Sequence, residues 1–240
     1  MKLSEKEKAA RKAAFRAMGP GEKLGYVWEY YKWPILLGLV ALLVLGSALH
    51  RNLTKKEPVL YLAMANVALG EDLQRDLTEG YLLEAGLDEK RQEVYLYLDL
   101  YLSDNADTLN HEYAYASKMK LMGAVSAQKL DLVLMNREAW DLLSRGGYLL
   151  ELDSAGLSEA LLPFLRENEV ILSDNSIEYQ LGEASEQIVE IRTAANALEV
   201  AAFPVFASAG FPEPVYLGLV ANSPRTAACL DYLSYLISEE

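Results

Sequence analysis

The 240-residue chain has ordinary globular usage, 52% hydrophobic and 24% charged, but its net charge of −13 is unevenly spread. Residues 1–50 carry eight Lys/Arg against four acids, a balance of +4, whereas the remainder carries −17. So acidic a body repels phosphates, which excludes nucleic acid as a partner. Cys229 is the only cysteine, which excludes an intrachain disulfide and a cysteine-based zinc site.

At the N-terminus, Ser4 and Glu7 have capping-box spacing, and Ala- and Lys-rich sequence continues to Met18. Gly19-Pro20-Gly21 then breaks the pattern. A basic helix here suits an anionic inner leaflet, or serves only as a topology signal. From Trp33 to Leu49 the chain reads WPILLGLVALLVLGSAL without a charge. As a helix this run spans roughly 25 Å, close to a ~30 Å hydrocarbon core. Trp28, Tyr30, Tyr31 and Trp33 precede it, and Arg51, Lys55 and Lys56 follow, as interfacial belts and snorkelling bases would. The pattern predicts a cytoplasmic tail over 1–32, a transmembrane helix over 33–50, a linker over 51–58 and an extracytoplasmic α/β domain over 59–240. The excess of bases before the run sets the N-terminus inside the cell. Cleavage after Ala48 is the competing expectation. It conflicts with a preceding segment far longer than a signal peptide's basic region, so a retained signal anchor in a bacterial cell membrane is preferred.

Past the linker, strand and helix patterns alternate. Val59–Leu69 reads as a buried strand, and Glu71 to Ala85 as a helix closed by Gly86. Glu93–Leu102 alternates strictly, placing Val94, Leu96, Leu98, Leu100 and Leu102 on one face. A turn follows over Asp104 to Asp107. The next helix, Asn110 to Ala127, spaces Tyr115, Met119, Met122 and Val125 along a predicted core face. Asp131–Met135 is a strand, Asn136 to Ser144 a helix stopped by Gly146-Gly147, and Tyr148–Leu152 another strand. Such alternation predicts a mainly parallel sheet with helices on both faces.

Leu157–Glu167 has helical composition despite Pro163, and Val170–Leu172 and Ile177–Leu181 suit short strands. Glu183 to Val200 fits either a helix or a hairpin. Val215–Ala221 is a strand, and Ser223-Pro224 supplies an N-cap and first residue for a terminal helix. Cys229 falls in that helix's apolar stripe, as a buried hydrophobe.

Signatures of catalysis are missing. There is no G-x-S-x-G, Walker A or G-x-G-x-x-G. The two histidines, His50 and His111, lie on either side of the anchor's boundary. Asp99, Asp104 and Asp107, and the Asp174-Asn175-Ser176 knot with Glu178, lack calcium-loop spacing and suit turns instead. No cofactor, metal site or enzymatic activity is therefore expected. A hydrolase assembled from scattered carboxylates is the least favoured alternative.

The run KLMGAVSAQKLDLVLMNREAWDLLSRGGYLLELD, ending at Asp153, resembles the type II solute-binding proteins of ABC importers. Their pattern leads from a helix into an Asp-led apolar strand, a helix, a glycine and a Leu-x-Asp element. The segment VYLGLVANSP from Val215 to Pro224 resembles their late strand. The approach to the anchor, YYKWPILL, is similar to that of membrane-anchored proteins of anaerobic Firmicutes. The departures are a short domain and a helical anchor in place of a lipid-modified cysteine. The resemblance implies a ligand crevice at the carboxyl ends of the strands. Asn66 and Glu71 would line it after the first strand, Ser103, Asp104 and Asn105 after the second, and Asn136 and Arg137 after the third. Asn136 is read first as a helix cap, and Arg137 first as a surface ion pair. The expected function is ligand binding by a membrane-anchored domain. The alternative is a pocketless accessory subunit of a membrane or envelope complex. The expected partners are the bilayer through 33–50 and a small molecule or membrane protein.

Overall fold

A computed structural model describes residues 19–105, 110–152, 170–181, 188–207 and 209–238, together with 17, 163, 165 and 166. Most of the basic tail and nearly all of the expected helix Leu157–Glu167 lie outside these residues. The chain divides into two compact units, Met1–Lys55 and Lys56–Glu240.

The first unit contains helix α1 (Pro20–Thr54), which runs through the whole uncharged segment with Pro34 inside it. Every side chain from 32 to 47 is exposed, with Leu37 at 70% and Leu42 at 71%. That stretch is only about 24 Å of helix. Among the described residues no helix is long and apolar enough to cross a membrane.

The second unit is mixed α/β, built on a six-stranded sheet of order β2-β1-β3-β6-β5-β4. Its strands are β1 (Glu57–Ala65), β2 (Gln92–Leu100), β3 (Leu132–Met135), β4 (Leu172–Leu181), β5 (Ile188–Glu199) and β6 (Tyr216–Leu219). The expected mainly parallel sheet is corrected here. Only β1–β2 and β1–β3 run parallel, whereas β3–β6, β5–β6 and β4–β5 are antiparallel. The cause lies in the second half of the chain. Over Ile188–Glu199, pairing with β4 and β6 selects the extended backbone that the β-branched residues at 188, 189, 191 and 193 suit, so these described residues form a strand and not a helix. A short connection can join only antiparallel neighbours. Tyr148–Leu152, expected as a strand, makes a single bridge, Leu149 to Val220.

Alternation along the central strands feeds two cores. Leu60, Leu62, Met64, Leu132 and Leu134 face one, with Leu73, Leu77, Tyr81, Leu82 and the stripe Cys229, Tyr232, Leu233 and Leu236. Ala63, Ala65, Val133 and Met135 face the other, with Leu121, Val125, Ala139, Trp140 and Leu143. The first core is covered by α2 (Glu71–Arg75), a π-helical segment (Asp76–Gly80), α3 (Tyr81–Glu84) and α6 (Thr226–Ile237). The second is covered by α4 (His111–Ser126) and α5 (Arg137–Arg145). A chain of buried polar groups holds α5 to the hairpin. The Trp140 indole N–H donates to Asn196 Oδ1 at 2.8 Å, Asn196 Nδ2 to Ser144 Oγ at 2.7 Å, and Ser144 Oγ to the Ser176 carbonyl at 2.8 Å.

Three expectations about faces and caps change. In β2, Asp99 takes φ 58° and the pairing with β1 slips between Ala63/Tyr97 and Ala65/Leu100. This bulge moves Leu100 and Leu102 to the second core, while Val94, Leu96 and Leu98 stay with the first. In α4 the buried face is Ala114, Ser117, Leu121, Ala124 and Val125. Of the expected core residues, Tyr115 and Met119 are 63% and 51% exposed. Leu121 and Val125 fill the buried stripe beside Ala114, Ser117 and Ala124, and Tyr115 and Met119 fall outside it. Finally, α6 begins at Thr226 without a side-chain cap. Ser223 instead gives its hydroxyl to buried Asp131, at 2.5 Å.

Candidate functional site

The groups expected at the strand ends are largely engaged in holding those ends together. Asn66 sits in the left-handed region at φ 59° and clamps the end of β2. Its Nδ2 donates to the Leu102 carbonyl and its Oδ1 accepts from Leu102 N, both at 2.7 Å. Ser103 Oγ accepts from Asn105 N at 3.2 Å, a local turn. Glu71 is exposed in the first turn of α2. Asn136 caps α5, its Oδ1 accepting from Ala139 N at 3.1 Å. Arg137 pairs with Asp141 at 2.9 Å, and its guanidinium lies 4.6 Å from the centre of the Trp140 ring.

Asp104 is the exception. It lies on the wall of a cleft of about 470 Å³, with Lys118 of α4, Leu142 and Arg145 of α5, Gly146, Tyr148 and Glu178 of β4. Asp104 Oδ1 accepts from Lys118 Nζ at 3.3 Å, and Oδ2 from Arg145 Nη2 at 3.0 Å. Two cations therefore share the Asp104 carboxylate, and with Glu178 the described lining carries two positive and two negative charges. The Asp104, Lys118 and Arg145 side chains are about half exposed. The local sequence shapes this site. Gly147 takes φ +66°, ending α5, and a Cβ on Gly146 would come within 2.4 Å of the Tyr148 ring. The Gly-Gly pair thus lets Tyr148 fold back over the end of the helix. Sequence inspection identified Asp104 but missed Lys118 and Arg145, which are 14 and 41 residues away from it. No local pattern carries such a pairing. The RGGY turn was the one available signal.

A second polar cluster lies at the amino end of β3. Asp131 is fully buried and accepts from Tyr61 N at 2.8 Å, Ser223 Oγ at 2.5 Å and Arg225 Nε at 2.8 Å. The Arg225 guanidinium also stands 4.7 Å from the Tyr61 ring centre and donates to the Gln128 carbonyl. Every donor is satisfied from within the chain, so this is a structural tie between β1, β3 and the approach to α6. Nearby Cys229 is 1% exposed, and burial, followed by the Asp131 charge, pushes its thiol up to about 12. A thiol so held is no nucleophile at neutral pH. Burial first, and then the neighbouring Tyr95 and Tyr61, likewise push the Tyr97 hydroxyl up.

Among the described residues no group of His, Cys, Asp and Glu could hold a metal ion. No known protein family, curated protein or solved structure matches the chain.

Proposed function

We propose that the chain is a single-pass membrane protein whose extracytoplasmic α/β domain binds a small ligand in the cleft beside Asp104, without chemical turnover. The observation that carries the ligand site is the convergence of Lys118 and Arg145 on one carboxylate within a cleft of small-molecule size. Arg145 has the planar fork that suits a carboxylate. Leu142 and Tyr148 supply the apolar wall. Tethering is supported by α1, whose exposed Ile, Leu and Val side chains would cost far too much in water for a free-standing helix. With residues 48 and 49 the uncharged run, roughly 25 Å of helix, stands at the lower limit of transmembrane lengths. The excess of bases on its N-terminal side orients the domain outward.

Two measurements test this proposal. Alkaline carbonate extraction of membranes should leave the full-length protein in the pellet, with the domain cut by protease added outside intact cells. Release into the supernatant would rule out the anchor. Thermal unfolding of the intact protein in phosphatidylcholine nanodiscs, against metabolites, peptides, sugars and divalent ions, tests the cleft. A true ligand at a hundredfold its dissociation constant adds about 2.7 kcal/mol to stability. That gain should vanish in Arg145→Ala. A flat response across the panel would sink the ligand site.

A second proposal, an accessory subunit of a membrane complex, is favoured by the outer face of α4. Tyr113, Tyr115 and Met119 are each at least half exposed there. Site-specific photocrosslinking from position 115 in intact membranes separates the two, since a pure ligand-binding protein yields no protein adduct.

A further inference from the structure

On the sheet face opposite the charged cleft, one helix contains a structure that local propensity does not explain. Glu71 to Glu84 runs through a π-helical segment, Asp76–Gly80. A π turn is rare because its wider ring weakens the backbone bonds. Here two hydroxyls from α6 complete the carbonyls that it loosens. Tyr232 Oη donates to the Leu77 carbonyl at 2.8 Å, and Tyr235 Oη to the Asp76 carbonyl at 2.7 Å. Gly80 is the contact that allows it, because a Cβ there would lie 2.5 Å from the Tyr235 hydroxyl.

Tyr235 thereby becomes a ridge between two clefts of about 430 and 450 Å³, both bordered by Glu84 and Ser238. Leu83 and Val205 form the apolar floor of the first, and Tyr81 and Ala85 that of the second. Leu83 is 75% exposed, unusual for a leucine inside an ordered helix. The rim is one-signed. Asp76 and Glu84 edge the first cleft and Glu84 and Asp231 the second, and the described linings contain no Lys or Arg. Among the described residues none of these three carboxylates has an ion pair.

We infer that this double groove docks a basic, apolar-centred segment of a partner protein, which straddles Tyr235 with one side chain on each side. Leu83 and Val205 receive its apolar residue, and Asp76, Glu84 and Asp231 receive flanking Lys or Arg. Charge complementarity selects this occupant. An acidic segment would meet three like charges on leaving water, and a neutral one would leave those charges without partners. The groove and the charged cleft lie on opposite sheet faces, so this docking stands whether or not the cleft binds a ligand.

The test uses the full chain in phosphatidylcholine nanodiscs and fluorescence anisotropy of labelled peptides, with empty nanodiscs subtracted. The probes are KAKLAKA amide and its acidic counterpart EAELAEA amide. The basic peptide should bind, and the acidic one should not. Glu84→Lys with Asp231→Lys, both exposed, should weaken binding about tenfold. Leu83→Ser should weaken it several-fold. Because the whole domain is acidic, a control pair, Glu112→Lys with Glu138→Lys, reverses the same charge on the other face. Equal weakening by the control pair would reduce the effect to general attraction and overturn the proposal. So would binding of the acidic peptide, or an unchanged affinity in the Glu84/Asp231 pair. Unaltered thermal unfolding of each variant confirms that the groove was tested on a folded protein.

Discussion

Asp131→Ala should be the most damaging single substitution in the domain. The carboxylate is fully buried, and its removal leaves three donors facing one another: Tyr61 N–H, the Ser223 hydroxyl and Arg225 Nε. Breaking a buried ion pair from one side costs about 3–5 kcal/mol. Arg225 retains some solvation, its side chain being 25% exposed, and it keeps the Gln128 carbonyl and the Tyr61 ring. The lower end, about 3 kcal/mol, is therefore expected, with Asp131→Asn nearer half of that. In a domain of this size, 3 kcal/mol corresponds to a fall in Tm of roughly 6–12 °C. The assay is urea and thermal unfolding of Asp131→Ala, Arg225→Met and the double variant. Once Arg225 is gone, losing Asp131 should cost at least about 1 kcal/mol less than it does alone. Additive losses, or an Asp131→Ala cost below 1 kcal/mol, would show that the network is not the tie described.

Other outcomes follow from the same geometry. Asn66→Gly keeps the left-handed backbone but drops both bonds to Leu102, for about 1–2 kcal/mol, and Asn66→Ala adds backbone strain to that loss. Chemical denaturation should rank Ala below Gly, and the reverse order would refute the backbone strain; an Asn66→Gly cost near zero would refute the clamp. Lys118→Ala and Arg145→Ala, on a half-exposed wall, should each change stability by under about 0.5 kcal/mol, leaving them clean probes of binding. Cys229 should stay unreactive to an aromatic disulfide at pH 8 until the chain unfolds. A folded value pushed up to about 12 from the ordinary 9.0 gives stability that is complete below pH 9. That contribution is lost progressively as pH rises from 9 to 12, because only the unfolded thiol ionises there. Cys229→Ala should flatten the alkaline arm of the stability profile, and an unchanged arm would point to the buried tyrosines instead.

Where periodicity and punctuation acted together, the fold was legible. β3 and α5 lie within a residue or so of their expected limits, because an apolar run ends at a capping asparagine and the helix stops at a glycine pair. The terminal helix was recognisable from the spacing of Cys229, Tyr232, Leu233 and Leu236. Other features depended on contacts that no window of sequence contains. The bulge at Asp99 flips Leu100 and Leu102 to the opposite core, although the residues alternate perfectly. In α4, Tyr115 and Met119 suited a core stripe, but the buried stripe runs through Ala114, Ser117 and Leu121. Propensity left Glu183 to Val200 open between helix and hairpin, and pairing with β4 and β6 decided it. The same limit applied at the cleft. Asp104 was accessible as a turn residue after a strand, but its two cations come from separate helices.

The join between the two halves of the sheet has a kinetic consequence. β3 meets β6 with Leu132 opposite Leu219, and the first core needs both Leu60 and Leu236. Closure therefore waits for the last strand and helix to leave the ribosome. Until then, β3 has an unpaired edge, and the apolar faces of β1 lack their final cover. Contacts this distant in sequence form slowly, since the intervening chain must be ordered before it is rewarded. Chains truncated before Thr226 should accumulate as protease-sensitive species, and the full chain should refold in a single late step that buries Tyr232.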